Sequence, residues 1–355
     1  MKRQKITIAL LFGGRSAEHD VSLASAAAVY RNIDKKKFRV VSVFIDKQGA
    51  WKRTTSPLLP PEKLKAGPAF SFLPWGGRGP GRLSADIYFP VLHGPYGEDG
   101  TIQGLLEMAD VPYVGAGVLG SAAGMDKDVM KALFAARDLP IVKHLTLLDA
   151  DWRAGSGGAL ARIGREFSLP IFVKPANLGS SVGISKVSRA AETAAAIRRA
   201  FRFDRKIVVE QGVDGREIEC SVLGNDHPRA SLPGEVVPFR DFYDYRDKYI
   251  DGKTTFRIPA DLPLETITRI RSLAVESYRA VGCSGMARLD FFLEKKTGEI
   301  FVNEINTIPG FTEISMYPKL WAATGLPFGR LVEELVRLGF ERHRLKKRCG
   351  MRPAR

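Results

Sequence analysis

"GMARLDFFLEKKTGEIFVNEINTIPGF", residues 285–311, is the stretch whose reading decides the fold. Side chains alternate along a strand, so Met286, Arg288, Asp290 and Phe292 share one face of "GMARLDFFLE". Ala287, Leu289, Phe291 and Leu293 form the apolar opposite face. In "EIFVNEIN" the same alternation puts Val302, Glu304 and Asn306 together, with Ile305 pointing away. The short "KKTG" linker contains Gly298 and predicts a hairpin. If both apolar faces meet the core, Asp290 lies opposite Glu304 and Arg288 opposite Asn306. Two opposed carboxylates repel unless positive charge stands between them. Arg288 can supply it as a salt bridge. A Mg²⁺ ion can supply it too, since that hard cation takes a few carboxylates and completes its shell with water or phosphate oxygens.

The second alternative requires a phosphate cradle, and "NLGSSVGIS" (177–185) is a candidate. Gly179 and Gly183 let the backbone approach an anion, and Ser180 and Ser181 add hydroxyl donors. The preceding strand "IFVKP" brings Lys174 within reach. The Walker A pattern is missing, and a Gly-Ser linker is the plainer alternative. In "VVEQGVDGREIE" (208–219), a strand ending at Glu210 can present backbone groups to an adenine edge, and Glu217 can bind ribose hydroxyls. Each of these acids, read singly, is a surface residue.

The remaining chain bounds the class. Its 355 residues suffice for two or three domains. Apolar residues make up 45% and charged residues 26%, an ordinary soluble composition with no bilayer-length apolar run. "MKRQKITIALLFGG" has the basic start and apolar run of a secretory signal but no clean cleavage site, so it reads as a first strand. Cys220, Cys283 and Cys349 are odd in number and widely spaced, which fits a reducing cytoplasm and argues against disulfides or a C-x-x-C metal site. The formal charge of +15 suggests a polyanionic partner. Its densest run, "ERHRLKKRCGMRPAR", reads as a solvated C-terminal tail, and nucleic-acid binding stays as a weak alternative without a supporting motif.

"KITIALLFGG", the helical "VSLASAAAVYRNI" and "RVVSVFI" (39–45) form a βαβ unit. No G-x-G-x-x-G follows the first strand, which disfavours a Rossmann dehydrogenase. Residues 52–84 read as an irregular excursion. "DIYFPVL" (86–92) is a strand running into "HGPYGEDG", and "TIQGLLEMA" starts a helix with Asp99 or Thr101 as cap. A helix opens at Met125 with "MDKDVMKALFAARD". Strands follow at 170–175, 206–211 and 216–224, with a helix near 189–202. Residues 239–257 read as a long loop, and loops of that length in compact domains are usually functional lids or disordered.

The ordered motifs "GGRSAEHDVSLAS", "HGPYGEDGTIQG", "MDK", "VKPANLGSSVGISKV", "VVEQGVDGREIECSVLGN", "FYDYRDKY", "ARLDFF" and "NEINTIPGFTEISMYP" closely resemble the D-alanine–D-alanine ligase family of the ATP-grasp superfamily. The resemblance runs from about residue 8 to 320. It implies an α/β (α+β) three-domain ATP-grasp fold with an N-terminal parallel-sheet (pre-ATP-grasp) domain at 1–124. The central domain would span 125–215 and the C-terminal domain 216–355, with ATP between them. It implies ATP-dependent ligation of two D-alanines through an acyl phosphate, for peptidoglycan. It further implies a cytoplasmic homodimer using two Mg²⁺ (or Mn²⁺), with no nucleic-acid or membrane partner.

By the same resemblance, Lys127 and Lys174 bind the nucleotide, Ser180 and Ser181 cover its phosphates, Glu210 and Val213 form the adenine hinge, and Glu217 takes the ribose. Asp290, Glu304 and Asn306 are metal ligands. Glu18 holds the first D-alanine's ammonium with His93 nearby. Arg288, Ser315 and the backbone at Gly310 surround the second substrate and the tetrahedral intermediate. Tyr249 links through Ser180 to Glu18, and Lys248-Tyr249 favours an amine acceptor over D-lactate. A D-alanyl-D-lactate or D-alanyl-D-serine ligase is the near alternative. Gln211 departs from the lysine of many relatives, at a position that lends mainly backbone to adenine.

Overall fold

Ile8, Ala9, Leu10, Leu11 and Phe12 are five consecutive residues without solvent exposure, because their strand is covered on both faces. This is β1 (Ile6–Gly13), which precedes α1 (His19–Asn32), β2 (Phe38–Ile45), β3 (Trp51–Thr54), β4 (Ala66–Ala69) and β5 (Ile87–Val91). The sheet runs β4-β3-β2-β1-β5, with β1 parallel to both β2 and β5. Ile8, Leu10 and Phe12 enter one core and Ala9 and Leu11 another. The computed structural model describes residues 5–58, 66–69, 84–179, 182–237 and 254–348. Ser180, Ser181, Lys248, Tyr249 and Cys349 fall outside the described residues.

Helix α2 (Thr101–Met108) packs Ile102 and Leu106 against the first sheet, and α3 (Val118–Met125), α4 (Lys127–Ala135), β6 (His144–Leu148), α5 (Asp149–Ala154), α6 (Ser156–Glu166), β7 (Ile171–Pro175), β8 (Ser185–Val187), α7 (Thr193–Ala200) and β9 (Lys206–Gln211) follow as a second group. Its strands form an antiparallel sheet in the order β6-β9-β7-β8. A third sheet joins β10 (Gly215–Gly224), β11 (Arg229–Ala230), β12 (Gly234–Val237), β13 (Thr255–Arg257), β14 (Gly285–Glu294) and β15 (Ile300–Asn306). Its order is β13-β12-β10-β14-β15, and β11 pairs with β10. Helix α8 (Leu264–Ala280) packs on this sheet, and α9 (Met316–Ala323) and α10 (Phe328–Arg348) follow. Leu331, Val332, Leu335 and Val336 of α10 return to the core of the first sheet.

Four expectations change. The stretch 52–84 is not wholly irregular, because β3 and then β4 extend the first sheet with antiparallel pairing, β4 forming its edge. The helix expected from Met125 breaks at Asp126, whose side chain caps α4 by accepting from the amides of Asp128 and Val129. The basic run begins inside α10 instead of forming a solvated tail from Glu341 onward. The alternation of the last strand is also interrupted. Asp290 pairs with Glu304, but Phe291 pairs with Val302, leaving Asn303 as the extra residue of a bulge. Val302 therefore joins Ile305 in the core, away from Glu304 and Asn306.

Candidate active site

The hairpin register is the expected one at its polar end: Arg288 lies opposite Asn306 and Asp290 opposite Glu304. Arg288 meets Asp290 through two parallel bonds, Nε to Oδ1 and Nη2 to Oδ2, each 2.7 Å. Its Nε also lies 3.0 Å from Glu219 Oε2, on the neighbouring strand β10. Asn306 donates from Nδ2 to Asp290 Oδ2 at 3.0 Å. Glu304 takes a different cation, Lys127, whose Nζ is 3.5 Å from Oε2. The two opposed carboxylates thus each have a positive partner. Hard oxygen donors are gathered here, two carboxylates and an amide, as a magnesium-type ion requires. Among the described residues no group of three His, Cys, Asp or Glu side chains is placed to hold an ion by itself.

Beside the hairpin is a buried lysine–carboxylate cluster. Lys174 Nζ stands 2.6 Å from Glu210 Oε2, and Lys131 Nζ stands 3.1 Å from Oε1. Lys174 also reaches Asn303 Oδ1 at 3.4 Å, a contact created by the bulge. Burial opposes the charge of Glu210, but Lys131 and Lys174 outweigh it and bring the carboxyl down to about 2. Burial likewise opposes the Lys174 charge, and Glu210 overcomes it, holding that ammonium above the usual lysine range. Burial pulls Lys131 down. Lys127 begins α4 and donates to the carbonyl of Leu178 at 2.8 Å, which ties it to the start of the Gly-Ser stretch. Val213 and Glu217 lie just beyond β9 and on β10; Gln211 exchanges two bonds with the Ser168 backbone, at 2.7 and 3.0 Å.

The third part comes from the first sheet. A cavity is lined by Glu18, His93, Glu98, Arg288, Gly310 and Ser315, among others. Gly94 has φ +73°, and a Cβ there would sit 2.5 Å from Glu18 Oε2, so only glycine leaves that carboxylate its place. Glu98 accepts the amide of Gly94 at 2.8 Å and that of Ile308 at 3.0 Å, joining the turn after β5 to the loop after β15. His93 Nδ1 donates to Ile308 O at 3.0 Å, and its Nε2 meets Ser25 Oγ at 3.0 Å. Burial lowers the His93 pKa, which keeps the ring neutral for this pattern. Ser315 Oγ accepts the Thr312 amide at 2.9 Å, and a Cβ on Gly310 would come within 2.7 Å of it.

Of the expected residues, Glu18, His93, Arg288, Glu304, Asn306, Gly310 and Ser315 line this cavity, Asp290 adjoins it through Arg288, and Lys127 and Lys174 reach the hairpin through Glu304 and Asn303; among the described residues no contact joins Val213 to them. Glu98 and Glu219 line the cavity, Lys131 and Asn303 contact Glu210 and Lys174 behind it, and all four were missed by the sequence reading. Two had a signal. Lys127 and Lys131 are spaced i, i+4 on one helix face, and Glu217, Glu219 and Ser221 alternate on the polar face of β10.

Profiles for known families match both parts of the chain: one described as "D-ala D-ala ligase N-terminus" at residues 7–116, and one as "D-ala D-ala ligase C-terminus" at 133–337. A D-alanine–D-alanine ligase from Solibacter usitatus is 49% identical over 343 residues, covering 97% of this chain and 98% of its own. The structure of the D-alanine–D-alanine ligase from Coxiella burnetii superposes with a TM-score of 0.87 at 38% identity, covering 98% of this chain and 97% of that one. The VanG D-Ala:D-Ser ligase from Enterococcus faecalis superposes with a TM-score of 0.84 at 36% identity, over 95% and 100%.

Proposed function

The chain belongs to the D-alanine–D-alanine ligase family, and we propose that its cleft performs that ligation with the side chains described above. The enzyme joins two D-alanines into the D-alanyl-D-alanine of peptidoglycan at the expense of ATP. A carboxylate does not acylate an amine at neutral pH, because oxide is a poor leaving group. The first D-alanine's carboxylate oxygen attacks the γ-phosphorus, ADP leaves, and an acyl phosphate forms. The amine of the second D-alanine attacks the acyl carbon, the C–O bond to phosphate breaks, and the amine loses its proton. The protein's task is positioning and charge neutralisation.

In this reading Lys127 and Lys174 offset the triphosphate, the backbone at Glu210 to Val213 meets adenine, and Glu217 binds the ribose. Glu18 takes the first ammonium with His93 beside it. Arg288 and the Gly310 amide face the oxygen on which charge develops, an effect worth about 3 kcal/mol per donor. Ser315 and Lys248 hold the second substrate. Ser180, Ser181 and Tyr249 cover phosphates and acceptor. Asp290, Glu304 and Asn306 would hold two Mg²⁺ or Mn²⁺ ions, and their hard-oxygen donor set fits. Bound there, the ions would neutralise charge on the terminal phosphates. The domains divide at 1–124, 125–215 and 216–355, and the enzyme works as a cytoplasmic homodimer. Among the described residues no helix is long and apolar enough to cross a membrane.

The observation that carries the reading is the contact of Lys127 with both Glu304 and the Leu178 carbonyl, which joins phosphate loop, lysine and carboxylate hairpin. A phosphate-release screen with ATP, Mg²⁺ and a set of D-amino and D-hydroxy acids tests it. Release is expected with D-alanine. Preference for D-serine would favour the second reading, which rests on the likeness to the D-Ala:D-Ser ligase. Glu304→Gln should lower turnover by about 10³-fold with the circular dichroism unchanged. Turnover near the wild-type level would overturn the site assignment.

A further inference from the structure

Lys131 is fully buried, sits four residues after Lys127 on α4, and has no path to a ligand in the cleft. It nevertheless carries an ammonium into the cleft wall, 3.1 Å from Glu210 Oε1. The opposite oxygen of the same carboxylate is held by Lys174 at 2.6 Å. The two lysines therefore share this one carboxylate as their direct partner, with the Glu304 charge acting on both without a direct contact. We propose that Lys131 is a positioning residue for ATP: it shares the charge of Glu210 from behind, so that the Lys174 ammonium in front stays available to phosphate. This rests on the reading that Lys174 faces the nucleotide's phosphates.

The argument is electrostatic. A buried Lys174–Glu210 pair by itself is neutral, and an incoming phosphate must compete with Glu210 for the ammonium. A second lysine on the far oxygen shares that carboxylate and weakens its hold on Lys174, on which Glu304 and Glu217 also act. Because Lys131 is sealed from the cleft and Lys174 reaches out to Asn303, the charge so released is offered on the Lys174 side. Burying an additional lysine is unfavourable for stability, and hydrophobic replacements at such sites are often neutral or stabilising. A purely structural cluster would need only one lysine. The low pKa of Glu210 and the opposite shifts of the two lysines accord with this division.

The test titrates ATP and adenosine separately against the full-length wild type, Lys131→Met and Lys174→Met, with melting temperatures recorded. Lys131→Met should weaken ATP binding about tenfold, raise the KM for ATP with little change in kcat, and leave adenosine affinity and melting unchanged. Equal losses for ATP and adenosine, or a large drop in melting temperature, would indicate a structural role and overturn the inference. If Lys174→Met loses ATP affinity and Lys131→Met does not, the inference falls while the phosphate site stands. If neither loses affinity, the phosphate reading itself fails. A second comparison covers a poorly folding single variant. With Glu210 neutral, Lys131 has no charge to offset, so Glu210→Gln with Lys131→Met should bind ATP within about twofold of Glu210→Gln alone. A further tenfold loss in the double variant would overturn the proposal.

Discussion

Glu98 stands in the same cavity as Glu18, and its carboxyl is pushed up to about 8 by burial and then by the Glu18 charge. Both oxygens accept backbone amides, which favours the ionised form, but desolvation wins. In the proposed reading a substrate ammonium arrives beside Glu18. That cation lowers the Glu98 pKa, so binding expels a proton wherever the free protein still holds one. The sign follows: D-alanine affinity should improve as pH rises toward about 8 and level off above it. The KM for D-alanine, measured from about pH 6 to about pH 9, should fall and then flatten, and calorimetry in buffers of different ionisation enthalpy should report proton release. Glu98→Gln cannot ionise and should remove the slope. A KM constant below the Glu98 pKa would contradict the linkage.

At the scale of elements, α10 locks the end of the chain onto its beginning. Arg342 donates to Gly115 O at 2.6 Å and to Tyr113 O at 3.3 Å, and its guanidinium lies 3.9 Å from the Tyr113 ring centroid. Lys346 pairs with Glu107, and Lys347 pairs with Asp110 at 3.1 Å. Arg342→Ala should cost about 1–2 kcal/mol, read from urea unfolding, because two carbonyls and a ring lose a half-buried partner together. A change within the scatter of surface substitutions would show that the contact is idle. This helix also marks where sequence legibility stops. Its apolar stripe, Leu331, Val332, Leu335 and Val336, is periodic, but the basic run after it drew the reading toward a solvated tail. The register of β14 against β15 was legible because Ala287, Leu289 and Ile305 must face the core. The bulge at Asn303 was not, since one additional residue leaves no mark in composition. Strands β3 and β4 were hidden for a related reason, as four residues are too few to show a period, and Gly67 and Pro68 inside β4 read as a break.

For the whole molecule, the cleft draws side chains from three sheets: Glu18 and His93 from the first region, Lys174 and Glu210 from the second, Arg288, Asp290 and Glu304 from the third. In the proposed reading a nucleotide bound there ties the second and third sheets together, so its binding free energy enters global stability. ADP with Mg²⁺ at about 100 times its Kd should add about 2.7 kcal/mol. For 355 residues the melting temperature should rise by about 3–4 °C. Lys174→Met should abolish most of that shift. The same measurement weighs the formal charge of +15, which by itself suggests a nucleic-acid partner. Ion pairs inside the fold do not reduce that excess, since Arg288, Lys131, Lys174 and Lys206 meet five carboxylates, Asp290, Glu219, Glu210, Asp126 and Asp128. What remains at the surface is screened within about 8 Å at physiological salt. Duplex DNA under those conditions should leave the melting curve where it is. A shift with DNA and none with ADP would make the charge, and not the carboxylate hairpin, the feature that explains this protein.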